Sequence, residues 1–191
     1  SADIIALLDQ QFGDRIKSKT LTALDPWAGV AAADLLEVCQ FLKDDPRLQF
    51  DLLNCISGVD CLEPDPKKAP KAGFDPHTEV VYHLSSFRQR HRFVLKLILP
   101  RWKDDKPGEL PEVPSVAFLW RTADWHEREL YDLSGVYFTG HPDRRRILMP
   151  DDWQGFPQRK DYPLEGPGEL LMENPEDWLK LRQAREEADI E

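Results

Sequence analysis

Two neighbouring segments of the sequence have the composition of paired β-strands. They are EVVYHLSSF at residues 79–87 and HRFVLKLIL at residues 91–99, which are rich in β-branched and aromatic residues. Only a few polar residues separate them, and this pattern predicts an antiparallel hairpin. The large apolar residues that share one face of the second segment are Phe93, Leu95, Leu97 and Leu99. The other face of this segment carries Arg92, Val94, Lys96 and Ile98.

Helical periodicity predicts the elements that cover the sheet. Apolar residues recur at helical spacing over residues 2–12 and over about residues 32–44. A third helix is predicted from about 123 to 133, and Gly135 is expected to end it. Weaker strand candidates are residues 16–24 and 136–138, and proline-rich loops are predicted at 62–77 and 100–114. The mixture predicts an α+β fold with a mixed β-sheet flanked by helices.

The charged residues of the third helix are spaced for ion pairing. Asp124, Arg128 and Asp132 lie at i, i+4 and i+8, which predicts two ion pairs on one exposed face. Two glutamates of the same helix, Glu127 and Glu129, are expected to hydrogen-bond to neighbouring loops.

The C-terminal part of the chain is rich in proline. Residues 140–175 contain six prolines and little periodicity, and proline is incompatible with a helix interior. The predicted organisation is therefore an α+β domain over 1–139, an extended arm over 140–175, and a charged tail over 176–191 that is helical in part.

The arm is predicted to lie against another protein. Three consecutive arginines, Arg144 to Arg146, are followed at once by Ile147, Leu148 and Met149, which are costly to leave in water. Arginine and large aromatic residues are enriched at interface cores. An extended segment also needs partners for its backbone donors and acceptors.

Composition excludes several classes of protein. The net charge of −10 argues against general binding to nucleic acid or anionic membranes. No apolar run is long enough for a transmembrane helix, and the N-terminus is acidic where a signal peptide is basic. The three cysteines contain no CxxC pair, which favours a reduced, cytoplasmic chain and predicts no zinc or iron–sulfur site in this chain alone.

No catalytic, cofactor-binding or metal site is predicted. HEREL begins at His126, but Leu130 occupies the position of the second histidine of a zincin motif. Asp151 and Asp152 are adjacent and are expected in a turn, and His141 is expected to be structural. A self-sufficient metal or acid/base enzyme and an RNA-binding module remain alternatives. A stoichiometric ion in the purified chain would indicate the first, and salt-dependent RNA binding the second.

The stretch WHERELYDLSGVYFTGHPDRRRILMPDDWQGFPQRKDYPLEGP, residues 125–167, resembles one known family over about forty residues. That family is the C subunit, or thirty-kilodalton subunit, of the respiratory NADH–quinone oxidoreductase, complex I. Its pattern is a W-x-ERE-x-YD helix, then GHP-D-x-RRILMPDDW, then P-x-RKDYPL. Residues 50–60 and 79–87 resemble upstream blocks. Ser134 and Phe156 depart from the pattern, where a bulky apolar residue and a histidine are usual.

Two sets of residues are singled out, the first by the resemblance and the second by the hypothesis that the arm is anchored to a partner. The structural signature comprises Glu127, Arg128, Glu129, Tyr131, Asp132, Gly135, Gly140, His141 and Pro142. The residues expected to contact a partner are Arg144, Arg145, Arg146, Trp153, Arg159, Lys160, Asp161 and Tyr162.

The resemblance also implies a place in a larger assembly. It implies a non-catalytic subunit of the hydrophilic arm of a proton-translocating NADH–quinone oxidoreductase, without a cofactor of its own. The expected main partner is the D subunit, which resembles the large subunit of nickel–iron hydrogenases. FMN and iron–sulfur clusters belong to partner subunits, and quinone is the substrate of the complex.

The expected location is peripheral, on the cytoplasmic face of the bacterial inner membrane. Because the sequence ends at Glu191, we expect a chain separate from the D subunit. The alternative within the redox class is the equivalent subunit of a membrane-bound energy-converting hydrogenase or of a ferredoxin-driven quinone reductase.

Overall fold

A mixed five-stranded sheet organises the fold. The structure, a computed structural model, describes residues 2–164. The strands are β1 Ile16–Thr20, β2 Trp27–Val30, β3 Leu52–Cys61, β4 His77–Ser86 and β5 His91–Leu99. Their order across the sheet is β1-β2-β5-β4-β3. All neighbours are antiparallel except β2 and β5, which pair in parallel.

The predicted hairpin is confirmed as β4 and β5. Thr78 pairs with Leu99 at one end of the ladder, and Ser86 pairs with His91 at the other. The four residues predicted to share one face of β5 are all buried in the hydrophobic core. The opposite face of the sheet, called here the open face, carries the partly exposed residues Cys61, His77, Glu79, Lys96 and Ile98.

Among residues 2–164, three helices contribute to the core, as predicted. They are α1 Ala2–Phe12, α2 Leu35–Asp44 and α3 Ala123–Ser134. Buried residues of each, such as Leu8, Leu42 and Leu130, join the same hydrophobic cluster as the inner faces of β4 and β5. The predicted α+β class with a mixed sheet is therefore confirmed. Within residues 2–164, no helix has both the length and the apolar character needed to cross a bilayer.

A second, two-stranded sheet sets the position of α3. It consists of β6 Glu112–Pro114, which precedes α3 in the sequence, and β7 Tyr137–Thr139, which follows it. The two strands pair in parallel. The strand β7 corresponds to the candidate at 136–138. The strand β6 lies inside the predicted loop 100–114 and was not predicted, because Pro111 and Pro114 give that segment the composition of a turn.

Residues 140–161, called here the signature segment, belong to the same compact unit as the sheet. That unit ends at Asp161, and residues 140–161 contain turns but no helix or strand. Residues 165–175 of the predicted arm and the predicted tail 176–191 lie outside the described residues. The role of the arm in binding a partner stays a prediction.

Candidate partner interface

A buried glutamate fixes α3 to the second sheet. Glu127 is 0% exposed. One of its carboxylate oxygens accepts a hydrogen bond from the hydroxyl of Ser115 at 2.6 Å, and the other accepts one from the backbone N–H of Val116 at 2.7 Å. The prediction that Glu127 hydrogen-bonds to a neighbouring loop is confirmed. Burial raises the pKa of Glu127 to about 7, although both hydrogen bonds act to lower it.

His141 holds the start of the signature segment against α3. Its Nε2 donates to the backbone carbonyl of Asp124 at 3.0 Å, and its Nδ1 accepts from the backbone N–H of Asp143 at 3.0 Å. These two bonds define a neutral imidazole protonated at Nε2. The prediction of a structural histidine is confirmed. The cavity between Glu127 and His141 has a volume of about 10 Å³, which is room for about one water molecule and not for a substrate.

Asp132 organises the segment that follows. Its Oδ2 accepts three hydrogen bonds from consecutive backbone N–H groups, those of Ile147, Leu148 and Met149, at 3.0, 2.7 and 2.8 Å. Its Oδ1 receives the guanidinium of Arg146 at 2.6 Å. Burial acts to raise the pKa of this carboxyl, but the backbone N–H groups and Arg146 outweigh it and hold the pKa below its usual value.

The predicted ion pairs of α3 are wrong. Asp132 is fully buried and pairs with Arg146, whereas Arg128 lies 3.5 Å from Asp143. Arg128 also donates to the backbone carbonyls of Arg145 and Arg146 at 3.1 and 3.2 Å. Helical spacing showed that the side chains share a side of α3. It could not show that the signature segment covers this side and provides stronger partners.

The three consecutive arginines have different environments. Arg146 is largely buried and also donates to the carbonyl of Gly155 at 3.3 Å. Arg144 is exposed, stacks its guanidinium 5.4 Å from the ring centre of Tyr137 and donates to the hydroxyl of that residue. Arg145 has a side chain that is 78% exposed and pairs with Asp143 at 2.7 Å.

Four exposed residues of mixed character lie on α3 and on the segment that α3 holds in place. We define the signature patch as Trp125, Arg144, Arg145 and Leu148. Trp125 is 62% exposed and Leu148 is 61% exposed. Arg128 contacts two residues of the patch. Its guanidinium lies 5.6 Å from the ring centre of Trp125 and also donates to the backbone carbonyl of Arg145. Trp125 and Leu148 were not among the predicted contact residues. Their large apolar side chains beside charged residues were the available signal.

The two departures from the family pattern lie close together. Gly135 ends α3 in the left-handed conformation at φ 71°. The nearest ring carbon of Phe156 lies 2.7 Å from the position that a Cβ on Gly135 would occupy. Ser134 donates to the side-chain oxygen of Gln158 at 3.2 Å. The side chain of Ser134 also faces Gly58 of β3, and a Cβ on residue 58 would lie 2.9 Å from the Ser134 hydroxyl oxygen. Ser134 and Phe156 thus pack the segment onto α3 and β3.

The second basic cluster binds the chain's own domain. Arg159 is buried, lies 3.6 Å from the ring centre of Trp102 and donates to the carbonyl of Arg101 at 3.0 Å. Arg101 in turn pairs with Asp60 at 2.6 Å and with Asp161 at 2.8 Å. These contacts attach the end of the segment to β3 and to the segment after β5.

The remaining predicted residues have mixed surroundings. The side chain of Lys160 is exposed, while its backbone N–H donates to Asp60 at 2.8 Å. Trp153, Glu129 and Tyr131 are partly buried. Gly140 and Pro142 are exposed, and Tyr162 lies beyond the end of the compact unit. Of the predicted contact residues, Arg144, Arg145 and Lys160 combine exposure with positive charge.

The sheet, α3 and the folded segment define an α+β domain that holds an arginine-rich surface in place. Comparison with known proteins agrees with this class. The family described as respiratory-chain NADH dehydrogenase, 30 Kd subunit, matches residues 28–168. The chain therefore belongs to that family.

Relatives extend the same finding. The second C subunit of the NADH-quinone oxidoreductase of Rhizobium etli is 44% identical over 82% of this chain and 74% of the relative. The C subunit of the NADH-quinone oxidoreductase of Chloroherpeton thalassium is 38% identical over 83% of this chain and 59% of the relative. The C subunit of the NADH-quinone oxidoreductase of Salinispora tropica is 39% identical over 86% of this chain and 61% of the relative. The chain thus spans between 59% and 74% of the length of these relatives.

A solved structure shares the fold. It is described as the membrane-bound sulfane sulfur reductase (MBS), an archaeal respiratory membrane complex, and one of its chains matches with a TM-score of 0.64. The match covers 85% of each chain at 22% sequence identity, and at this identity it shows the fold alone.

Proposed function

We propose that the chain is the C subunit of a proton-translocating NADH–quinone oxidoreductase and that it does no chemistry itself. Family membership and relatives named as C subunits of that enzyme support this assignment. The chain would lie in the hydrophilic arm of the complex, on the cytoplasmic face of the membrane. FMN, the iron–sulfur clusters and the quinone site would belong to its partners.

The observation that supports the proposal most is that some residues of the signature region are buried in contacts within the chain, while others are exposed at the signature patch. Two acidic residues of this region face inward: Glu127 and Asp132 are fully buried and make their hydrogen bonds and ion pair within the chain. Its arginines and apolar residues at the signature patch face outward. A buried carboxylate that binds three backbone N–H groups fixes a loop in one conformation, so the patch does not have to be ordered when a partner binds.

The composition of the patch fits a protein partner. Tryptophan and arginine are the residue types most enriched among those that dominate binding energy. The exposed guanidinium groups of Arg144 and Arg145 fit carboxylates, because the planar fork of arginine binds them with two parallel hydrogen bonds. We therefore propose that the patch contacts an acidic surface of the D subunit, the hydrogenase-like chain beside the quinone site.

The buried acids are unsuited to catalysis on a substrate. Glu127 has a pKa near 7, as a general acid or base requires, but the adjoining cavity of about 10 Å³ admits no substrate. Asp132 is held as a carboxylate by four hydrogen-bond donors. Both residues act in the proposal as supports for the patch.

Reversing one charge tests the proposal. Arg145→Glu should abolish co-purification of the chain with the D subunit, and membranes should lose NADH–quinone activity with it. Because the Arg145 side chain is mostly exposed, the isolated variant should keep the far-ultraviolet circular dichroism of the unchanged chain. The matched control is Arg88→Glu, which makes the same charge change at an exposed position of the turn between β4 and β5.

The set of co-purifying subunits decides between the proposal and its alternative. NADH-binding flavoprotein subunits beside the D subunit support an NADH–quinone oxidoreductase. A hydrogenase or a ferredoxin-driven reductase would lack them. If Arg145→Glu assembles as well as Arg88→Glu, the patch is not the contact surface and the proposal for it is lost.

A further inference from the structure

The open face of the sheet brings together three side chains that bind metals. Cys61 ends β3 and pairs directly with His77 at the start of β4. Glu79 lies two residues farther along β4 and therefore on the same face. The thiol sulfur, an imidazole nitrogen and a carboxylate oxygen of these residues all lie within 4.8 Å of one another. A loop of fifteen residues, 62–76, separates Cys61 from His77 in the sequence.

Hydrogen bonding orients the histidine for ligation. Nδ1 of His77 lies 2.6 Å from the backbone carbonyl of Asp75, so this nitrogen carries the proton and donates. The lone pair is left on Nε2, which lies 3.6 Å from Oε1 of Glu79. A backbone carbonyl on the outer nitrogen is the usual support of a histidine that binds a metal through the other nitrogen.

The second oxygen of Glu79 is also held. The ammonium of Lys96 lies 3.0 Å from Oε2 of Glu79 and 4.8 Å from the ring centre of Trp27. Oε1 remains directed at His77. The thiolate of Cys61 and the carboxylate together offset the two charges of a divalent ion, and Lys96 adds one positive charge nearby, which weakens cation binding.

The ligand set selects the kind of ion. One sulfur, one nitrogen and one oxygen suit Zn²⁺ or Co²⁺ and do not suit Mg²⁺ or Ca²⁺, which take oxygen ligands. Bonds of about 2.0–2.3 Å place tetrahedral ligands about 3.3–3.6 Å apart. Nε2 of His77 and Oε1 of Glu79 already lie 3.6 Å apart, and all three ligand atoms lie within 4.8 Å of one another, so a closure of about 1 Å suffices. All three residues are partly exposed, and water can reach the fourth position.

We propose that Cys61, His77 and Glu79 form a binding site for a divalent zinc-like ion that joins the ends of β3 and β4 at the base of the loop 62–76. The ion takes the place of the thiol proton, which passes to water.

A cobalt titration of the full chain tests the site. Co²⁺ bound to a thiolate in a tetrahedral site gives a sulfur-to-metal charge-transfer band and intense visible bands. The unchanged chain should show both with one ion per chain, and Zn²⁺ should displace them. Cys61→Ser should remove the charge-transfer band. His77→Gln should weaken binding by more than the 10–100-fold that the loss of an outer partner costs.

The chain contains its own matched control. Cys55 and His83 form a second directly paired cysteine and histidine on the same two strands, and neither belongs to the three-ligand cluster. Cys55→Ser should leave the cobalt spectrum unchanged. Lys96→Met removes the competing charge next to Glu79 and should tighten binding several-fold.

The spectra decide the matter independently of the partner complex. The absence of a charge-transfer band in the unchanged chain would overturn the proposal. So would a band that survives in Cys61→Ser, or one that is lost equally in Cys55→Ser. Circular dichroism of each variant shows whether a loss of binding reflects unfolding, and the titration of the unchanged chain needs no variant.

Discussion

The buried carboxyl group of Glu127 makes the stability of the fold depend on pH in an unusual direction. Its pKa is about 7 in the folded chain, against an ordinary value of 4.5. Between these two values the folded chain binds more protons than the unfolded chain. The contribution of this group is therefore greatest below about pH 4.5, and stability is lost as the pH rises through 7. The difference corresponds to about 3 kcal/mol.

Glu127→Gln should remove this dependence. Glutamine has nearly the same shape, and its side-chain oxygen can still accept from the backbone of Val116. It carries no charge at any pH, while the titratable groups around it, which are Asp124, His141, Cys39 and Tyr82, are unchanged. We expect the stability of the unchanged chain, measured against that of Glu127→Gln, to fall by about 2.5 kcal/mol between pH 5 and pH 8.

Urea unfolding of both proteins from pH 5 to pH 8, followed by circular dichroism, measures this difference. Glu129→Gln removes a carboxylate from the same helix at a position that is only partly buried, and it controls for loss of charge alone. A difference between the unchanged chain and Glu127→Gln that stays constant with pH would show that burial of this carboxyl has no energetic consequence.

Two further substitutions test how the signature segment is held. Asp132→Asn should cost about 3 kcal/mol, because a buried charge pair with Arg146 is broken, and hydrogen exchange should become faster at the amides of residues 147–149. Asp152→Asn, at an exposed position, should change neither. Gly135→Ala forces a left-handed alanine against the ring of Phe156 and should cost about 2 kcal/mol or more. Gly13→Ala, at φ 51° with open space around it, should cost about 1–2 kcal/mol, so urea unfolding of both variants isolates the packing against Phe156.

Local pattern was sufficient to predict the main elements of the fold. The helix at 2–12, the helix at about 123–133 and the hairpin at 79–99 have strong periodicity within one segment, and all three are present as predicted. The strand β2 was missed because it has only four residues and pairs in parallel with β5, far away in sequence. Its existence depends on a tertiary contact that no local pattern records.

The site was predictable in composition and not in geometry. The sequence indicated that Arg144 to Arg146 were distinctive, but not that Arg146 would face Asp132 while Arg145 stays exposed. The direction of a side chain in a segment without periodicity depends on the surface beneath it. The cluster of Cys61, His77 and Glu79 was missed for a related reason, since it exists only through the register of β3 on β4.

A photo-cross-linking experiment tests the central claim most directly. Benzoylphenylalanine in place of Leu148 puts a short-range cross-linker on the signature patch, and the same group in place of Ile98, which is 55% exposed on the open face, is the control. In membranes that contain the assembled complex, the account predicts a cross-link from position 148 to the hydrogenase-like D subunit and none to that subunit from position 98. The account would be contradicted if position 148 cross-linked to no subunit, or if only position 98 reached the D subunit.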